Sequence, residues 1–419
     1  MFTTLGALTG LAVAIVLIIR KMVPAYALVL GALVGGVAGG GDLATTVNEM
    51  ISGTKAMMPS VLRIIASGVL VGALVKTGSA AKIAEAVVSR LGGRFALAAV
   101  ALATAVVCAV GVFIDIAVIT VAPVALAVGR RAKIHVPALL LAMIGGGKAG
   151  NIISPNPNTI AAADAFNVDL TALIAANLLP ALCAFLATVA LAAWLNGRCR
   201  SGQNLDSAAS SDEEGPTVLP PLWSALLGPA TVVALLSLRP LMGVAVDPLV
   251  ALPAGGVVSA LACGRWRQTV DFAQFGLGKV TGVAVLLIGT GTIAGIVKAS
   301  GLNADMIALL GTLNLPMAAL APVSGLLMAG ATASTTAGAT IASQTFSGAL
   351  LEAGVAPLAA AATVHAGATI IDSLPHGSFF HATGGSVFMG VKERLRLIPW
   401  EASVGLVSTA VSVLVNLAL

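Results

Sequence analysis

Long apolar runs separated by short polar segments make up most of the chain. Several runs come near the ~20 apolar residues that a helix needs to cross the ~30 Å hydrocarbon core of a bilayer. Examples are Ala172–Trp194, Leu222–Leu238, Thr281–Val297 and Ile398–Leu419. The pattern predicts an all-α integral membrane protein that crosses the bilayer many times.

Composition agrees with this pattern. Hydrophobic residues form 58% of the 419 residues and charged residues only 9%, and the mean hydropathy is +1.03. A soluble domain carries roughly 25% charged residues, so most of this surface must face an apolar medium. The first run, Leu5–Ile19, ends at Arg20 and Lys21 with no basic segment before it. A cleaved signal peptide has the opposite charge order, and we therefore expect this run to be the first span.

The net charge of +5 does not indicate a nucleic-acid partner. The basic residues cluster between apolar runs, as the positive-inside rule expects of cytoplasmic loops. A single Tyr leaves no basic and aromatic pattern for binding single strands. The scattered cysteines have no metal-binding spacing, so we expect reduced packing residues, no bound metal and no cofactor.

One hydrophilic segment divides the chain into halves. Residues 196–221 are rich in Ser, Gly and acidic side chains, which is typical of a flexible linker. The halves, 1–195 and 222–419, share glycines at a constant spacing of 223 positions: Gly53 with Gly276, Gly68 with Gly291, and Gly72 with Gly295. This matching predicts an internal duplication, a recurring feature of transporters.

Each half contains an apolar segment with a polar middle. Folded in two, residues 95–128 give limbs of about 15 residues or about 22 Å, short of the ~30 Å core, which predicts a re-entrant hairpin. Arg90 and Arg130 flank this segment, so both of its ends are expected in the cytoplasm. Its counterpart, 315–351, lies in a stretch without any Lys or Arg, 302–391, and should enter from the outside.

Hairpins of opposite sidedness imply two inverted repeats. Each repeat is expected to hold about five spans, one re-entrant hairpin and one broken helix, the broken helices covering about 136–166 and about 355–390. The remaining basic clusters all fall in the cytoplasm if the chain has about ten spans with both termini outside.

The stretch Gly145–Phe166, GGGKAGNIISPNPNTIAAADAF, is the most informative. Glycine and proline disfavour a helix interior by ~1 and ~3 kcal/mol, and broken backbone at membrane depth is tolerated only inside protein or beside a wet cavity. A new half-helix near Asn158 would offer unpaired N–H groups to an anion. We therefore predict a carboxylate site with the polar groups of Asn151, Ser154, Asn156, Asn158 and Thr159. The alternative is a packed, kinked helix.

Two charged residues of the first half lie at membrane depth. Lys148 could pair with the substrate anion or with a carboxylate such as Asp115, because buried lysines are usually functional; snorkelling to the interface is the alternative. Asp115 sits at the predicted tip of the first hairpin with no basic residue nearby. Burial favours a protonated carboxyl, which suits a proton carrier, and a cation ligand is the alternative.

The second half repeats this polar pattern around SLPHGS, Ser373–Ser378. His365, His376 and Asp372 lie close together in the sequence, and acid and histidine chains at membrane depth are typical of proton relays. We expect Ser373 and His376 to bind substrate, and Asp372 and His365 to carry protons, although His365 could simply pack. The hydroxyls of Ser334, Thr335 and Thr336 at the second hairpin tip are expected to bind substrate as well.

Together, the first broken helix, the FIDIAVITVAPVAL hairpin, ATASTTAG and DSLPHG resemble the gluconate permease (gluconate:proton symporter) family over almost the whole chain outside the linker. More remotely, the layout is similar to the ion-transporter superfamily, whose sodium-coupled dicarboxylate symporters carry Ser-Asn-Thr at each hairpin tip. Here the matching positions are Asp115-Ile116-Ala117 and Ser334-Thr335-Thr336, which weakens the case for sodium. The resemblance implies a fixed scaffold and an elevator-like movement.

The sequence therefore favours a transporter over an enzyme: proton-coupled uptake of gluconate, a related sugar acid or a small hydroxy-carboxylate across the cytoplasmic (inner) membrane. The expected partners are this carboxylate, protons and the lipid bilayer, and a homodimer is one oligomeric state left open. Two alternatives remain. One is a sodium-coupled di- or tricarboxylate symporter, and the other is an intramembrane hydrolase with Ser, His and Asp drawn from 365–381.

Overall fold

A computed structural model describes residues 2–91, 95–198, 219–302, 304–305, 308, 312, 316–375 and 377–417. Within these residues the chain folds into α-helices joined by short turns, with two 3-10 helices at Trp266–Gln268 and Met317–Ala319. The all-helical class expected from the apolar pattern is confirmed. Most of the linker, 199–218, lies outside the described residues.

The helices before the linker are α1 (Thr4–Ile19), α2 (Pro24–Ala38), α3 (Leu43–Lys76), α4 (Ser79–Leu91), α5 (Ala96–Ala109), α6 (Ile114–Ala132), α7 (Val136–Asn151), α8 (Pro157–Ala165), α9 (Leu170–Ala176) and α10 (Leu178–Arg198). Those after it are α11 (Leu222–Met242), α12 (Pro248–Ala262), α13 (Thr269–Lys298), α14 (Leu320–Thr332), α15 (Thr335–Glu352), α16 (Pro357–Gly367), α17 (Ser378–Gly385), α18 (Val391–Leu395) and α19 (Ile398–Asn416). Apart from α4, both series contain in the same order two helices, one long helix, a helical hairpin, a helix interrupted midway, and a short helix before a final longer one.

The long helices α3 and α13 cross in close contact, because glycines line both faces. A Cβ atom at Gly276 would fall 1.7 Å from the carbonyl oxygen of Gly68, and one at Gly53 would fall 2.1 Å from that of Gly291. No side chain fits at either position. The start of α3 meets the end of α13, so the two helices run antiparallel. Helices α1, α2, α11 and α12 pack around this crossing.

Two helical hairpins pack against the interrupted helices. The turn between α5 and α6 passes through Gly111, whose φ of +107° disfavours any residue with a side chain. The turn between α14 and α15 passes through Ala333 at φ +48°. Ser334 caps the second limb, because its Oγ accepts a hydrogen bond from the N–H of Ala337.

The interruption in the first half is shorter than its glycine content suggests. Helix α7 continues through Gly145, Gly146 and Gly147 and ends only at Asn151. The reason is packing. A Cβ at Gly146 would lie 2.1 Å from the carbonyl oxygen of Ala101, so Gly146 lets α7 approach α5, and a Cβ at Gly145 would lie 2.3 Å from the side chain of Thr188 on α10. The prolines, by contrast, do stop the helix, and α8 starts at Pro157.

Among the described residues, four helices are long and apolar enough to cross a membrane: Leu43–Lys76, Leu178–Arg198, Trp266–Lys298 and Val391–Asn416. The pair Pro157–Ala165 and Leu170–Ala176, bent by 108°, makes a fifth if it crosses as one unit. Shorter apolar helices, including α1, α2, α11 and α12, accompany them. The ten-span arrangement stays a prediction.

Candidate functional site

Asp372 lies where three segments meet: the break between α7 and α8, the break between α16 and α17, and the turn of the second hairpin. Its Oδ1 accepts a hydrogen bond from Lys148 Nζ at 2.7 Å and its Oδ2 accepts one from Thr335 Oγ1 at 2.6 Å. Ser373 Oγ also donates to Oδ1, at 3.0 Å. One carboxylate thus joins the end of α7, the interruption after α16 and the start of α15, although these segments are far apart in the sequence.

Lys148 is fully enclosed at this junction. Its side chain is 2% exposed and that of Asp372 is 1% exposed. The ammonium group also donates to the backbone carbonyls of Thr369 and, at 3.4 Å, of Glu401. Of the pairings that the sequence left open for Lys148, the structure contains one with a carboxylate, and that carboxylate is Asp372 rather than Asp115.

Three asparagines hold the first interruption together. Asn156 Oδ1 caps α8 by accepting hydrogen bonds from the N–H groups of Asn158 and Thr159 at 2.9 and 3.1 Å. Its amide nitrogen donates to the carbonyl and side-chain oxygens of Asn151 at 2.8 and 2.7 Å. The start of α8 is therefore already capped by the chain itself. Buried Asn151 Nδ2, Ser154 Oγ and Asn158 Oδ1 have no hydrogen-bond partner within the described part of the chain.

A cavity of about 190 Å³ lies where the two hairpin turns face α13. Five residues that the sequence placed in the site line it: Asp115, Asn151, Ser334, Thr335 and Thr336. Drug-sized ligands occupy pockets of ~300–1,000 Å³, so this volume favours a small ligand. The polar part of the wall offers hydroxyl groups, one amide and two charged groups, and the rest of the wall is apolar: Phe113, Ile114, Ile116, Val283, Ala333 and Phe379.

The charged groups of this cavity are Asp115 and Lys279. Asp115 stands in the first turn of α6, where its Oδ1 accepts a hydrogen bond from the N–H of Ile116 at 2.9 Å. Lys279 comes from α13 and interacts electrostatically with Asp115. Sequence analysis missed Lys279 because the apolar run was taken to begin at Thr281. Lys279 could have been found as a lysine in the interior of a helix, because α13 runs from Thr269 to Lys298.

A larger cavity of about 740 Å³ adjoins the first one. The two share wall residues, among them Val283, Ser334, Thr336 and Ser378. The larger cavity extends to the loop between α1 and α2, where Lys21 lines it, and to His381 on α17. The small cavity is thus connected through shared walls to the end of the molecule that carries Arg20 and Lys21.

The other residues that the sequence singled out lie behind this wall or elsewhere. Lys148, Asp372 and Ser373 support it through Thr335. His365 is completely buried on α16, and neither of its ring nitrogens has a hydrogen-bond partner among the described residues. His376 lies outside the described residues. Roles for all of these residues remain predictions.

A second charged cluster lies on the far side of α8. Arg63 of α3 forms ion pairs with Asp164 of α8 and, at 2.6 Å, with Asp247. Ser60 Oγ also donates to Asp164. Asp247 precedes α12 in a loop, and its hydrogen bonds to Arg63 lower the pKa of its carboxyl. A cavity of about 270 Å³ is lined by Arg63, Asp164 and Asp247. Sequence analysis did not single out this cluster.

Comparison with known proteins assigns the chain to a family. The model of the GntP family permeases matches residues 2–418. An uncharacterized transporter of Haemophilus influenzae is 51% identical over 413 residues, which cover 99% of this chain and 98% of that protein. An uncharacterized permease of the same organism is 27% identical over 213 residues, or 50% of this chain and 43% of that protein.

Among solved structures, the YdaH transporter of Alcanivorax borkumensis is similar, with a TM-score of 0.63 and 18% sequence identity. The match covers 90% of this chain and 88% of that one. At this identity the likeness concerns the fold alone, an all-helical membrane transporter fold. The match of the family model over nearly the whole chain, and the close relative, show that this multi-pass membrane protein is a transporter rather than an enzyme and belongs to the GntP family of permeases.

Proposed function

We propose that this permease is a secondary active transporter that couples the uptake of gluconate, or of a related sugar acid or small hydroxy-carboxylate, to protons across the cytoplasmic (inner) membrane. The observation that carries the proposal is the 190 Å³ cavity, where both hairpin turns and the end of α7 present hydroxyl, amide and charged groups together. Hydroxyls and amides match the hydroxyls of a sugar acid, and a cation matches its carboxylate.

Substrate contacts are assigned in two layers. Asn151, Ser334, Thr335 and Thr336 line the cavity and can reach a ligand in this arrangement. The remaining predicted substrate residues in the described part of the chain lie behind this wall and would contribute after a small rearrangement: Lys148, Ser154, Asn156, Asn158, Thr159 and Ser373. His376 lies outside the described residues, and its role in substrate binding stays a prediction. The unpartnered polar atoms of Asn151, Ser154 and Asn158 support this assignment, because buried polar groups normally have partners.

Proton coupling is assigned first to Asp115. It lines the cavity, whereas Asp372 is held in an ion pair with Lys148, and His365 lines neither of the two cavities. Asp372 and His365 are the reserve candidates. In its place at the hairpin tip, Asp115 can exchange a proton with the cavity while substrate is bound beside it.

The two halves, 1–195 and 222–419, are proposed to be inverted repeats joined by the linker. The contacts of α3 with α13 support this. Gly53 approaches Gly291, and Gly68 approaches Gly276, while Gly276 and Gly291 are the positions that match Gly53 and Gly68 in the sequence. Each glycine of one helix thus contacts the counterpart of the other glycine. Reciprocal contacts of this kind are expected at an interface between two units related by a two-fold axis.

With basic loops in the cytoplasm, the larger cavity opens inward through the Lys21 loop. The helices around the α3 and α13 crossing then form the fixed scaffold. The hairpins with α7, α8, α16 and α17 form the moving unit of an elevator. The Arg63 and Asp164 ion pair joins the two units on the opposite side, where the outward path would be closed in this state.

A panel of labelled polyhydroxy monocarboxylates, offered to proteoliposomes with and without an imposed proton gradient, tests this function. We expect gluconate or a close relative to accumulate only with the proton gradient, without chemical change. Accumulation driven by a sodium gradient, with preference for di- or tricarboxylates, would favour the alternative symporter. Failure of every carboxylate in the panel to enter would contradict the proposal.

Hairpin sidedness is tested by cysteine labelling. In a background lacking the native cysteines, Ala132→Cys at the end of α6 should react with a membrane-impermeant thiol reagent from the cytoplasmic side. Glu352→Cys at the end of α15 should react from the outside, because the Lys- and Arg-free second hairpin enters from there. Reaction of both positions from the same side would exclude inverted repeats.

A further inference from the structure

We propose that Lys279 of α13 is the counter-ion that holds the carboxylate of the substrate while the binding site faces the cytoplasm, and that it selects substrates with a single carboxylate. This inference rests on the proposed function and goes beyond it, because it assigns charge recognition to the fixed scaffold rather than to the hairpins and helix interruptions.

Lys279 is free to bind an anion. Its side chain is exposed and lines the 190 Å³ cavity. The ion pairs among the described residues involve other cations: Arg63, Lys82, Lys148 and Arg394. Lys279 Nζ lies over the ring of Phe275, one turn earlier in α13, at 5.1 Å from the ring centroid. A cation over a ring face keeps its other side open for a carboxylate.

The surrounding face of α13 leaves room for a ligand. At Gly282, three residues after Lys279 and in the wall of the larger cavity, an added Cβ would meet no atom within 4 Å. This glycine differs from those at the α3 crossing, where a Cβ would strike backbone. Val283, one turn after Lys279, lines both cavities, so the open space at Gly282 lies on the cavity side of the helix.

The other deep lysine cannot take this role in the present arrangement. Lys148 is saturated by Asp372 and by the carbonyls of Thr369 and Glu401, so a substrate carboxylate would have to displace a buried ion pair. Lys279 has no ion pair to give up among the described residues, and its electrostatic interaction with Asp115 ends when Asp115 is protonated. Among the described residues, the wall of the small cavity therefore offers one available positive charge, together with neutral groups such as that of Asn151.

One available cation and several neutral donors fit a monoanion that bears hydroxyls. A second carboxylate would meet Asp115 or uncharged groups, and an uncompensated charge in such a site is unfavourable. Lys21, in the adjoining cavity, adds a positive charge along the route by which this anion reaches or leaves the site. Because α13 belongs to the scaffold, a substrate carried outward leaves Lys279 behind.

The position of Lys279 predicts an effect on one side of the membrane. In oriented proteoliposomes, labelled gluconate exchange gives the half-saturating concentration at the cytoplasmic face and at the external face separately. Lys279→Gln should raise the cytoplasmic value roughly tenfold or more, since a charge-assisted hydrogen bond is lost, and should leave the external value within about twofold. Lys279→Arg should retain much of the cytoplasmic affinity.

Charge recognition is measured by competition at the cytoplasmic face. Gluconamide, the neutral amide of the same chain, should compete with gluconate far less well in the original protein. In Lys279→Gln the preference for gluconate over gluconamide should shrink by about the same factor as the affinity for gluconate at the cytoplasmic face, roughly tenfold or more. Lys298→Gln, on the same helix but lining neither cavity, is the matched control and should change neither measurement.

The outcomes separate the two proposals. If the original protein exchanges gluconate but Lys279→Gln leaves both faces unchanged, or weakens both equally, the role of Lys279 is overturned while the proposed function stands. A persistent preference for gluconate over gluconamide in that variant also overturns it. If the original protein binds no carboxylate at either face, the proposed function fails and this inference fails with it.

Discussion

Lys148→Met and Asp372→Asn should each destabilise the protein severely, and the double variant should recover much of the loss. Removing one partner of a buried ion pair leaves an uncompensated charge, which costs about 3–5 kcal/mol. Both side chains are almost fully enclosed, so water cannot solvate the remaining charge. In the double variant, the asparagine that replaces Asp372 can still accept a hydrogen bond from Thr335, and methionine fills much of the space of the lysine stem.

Thermal unfolding of the detergent-purified protein, followed by the loss of its monodisperse chromatographic peak, measures this effect. Lys82 and Glu85 provide the control, since they form an ion pair at 2.9 Å with side chains 28% and 47% exposed. Exposed pairs contribute about 0–1 kcal/mol, so Lys82→Met should unfold near the original temperature. Equal tolerance of Lys82→Met and Lys148→Met would show that the buried pair does not hold the helix interruptions together.

Asp115→Asn should abolish the accumulation of substrate against a gradient while preserving exchange across the membrane. Asparagine has the shape of a protonated aspartic acid but cannot release a proton. If Asp115 carries the coupled proton, the variant stays in the form that moves with substrate and loses the link to the proton gradient. Asp115 lines the cavity and has no ion-pair partner within 4 Å among the described residues, so the substitution should leave folding intact.

Counterflow and gradient-driven uptake, measured on the same proteoliposomes, separate exchange from accumulation. Asp372→Asn should be tested in parallel as the reserve candidate. It should lower the amount of folded protein first, because its partner Lys148 is left charged. Concentrative uptake by Asp115→Asn under an imposed proton gradient would remove Asp115 from the coupling mechanism.

Local signals in the sequence were sufficient for several features. The length of the apolar runs predicted an all-helical membrane protein, and the family match confirms that class. Pro155 and Pro157 predicted that a helix stops in this region, because proline lacks an N–H and clashes with the preceding turn. The glycines before them were misleading, since Gly146 serves close packing on α5 and stays helical.

Long-range partners could not be predicted. Lys148 and Asp372 are 224 positions apart, and nothing in the residues around either one indicates the other. Lys279 was missed for a different reason: a lysine before an apolar run looks like the end of a span, whereas here α13 begins ten residues earlier, at Thr269. The sequence thus located five of the seven polar or charged side chains that line the small cavity, but not its available cation.

The close crossing of α3 and α13 has a consequence for how such a protein could have arisen. Under the proposed inverted-repeat arrangement, the reciprocal glycine contacts make each helix face complementary to an inverted copy of itself. Such a contact does not require its two sides to belong to one polypeptide. A half-length ancestor inserted into the membrane in both orientations would present the same face to its opposite copy. Gene fusion through a polar linker would then convert that pair into a single chain without redesigning the contact.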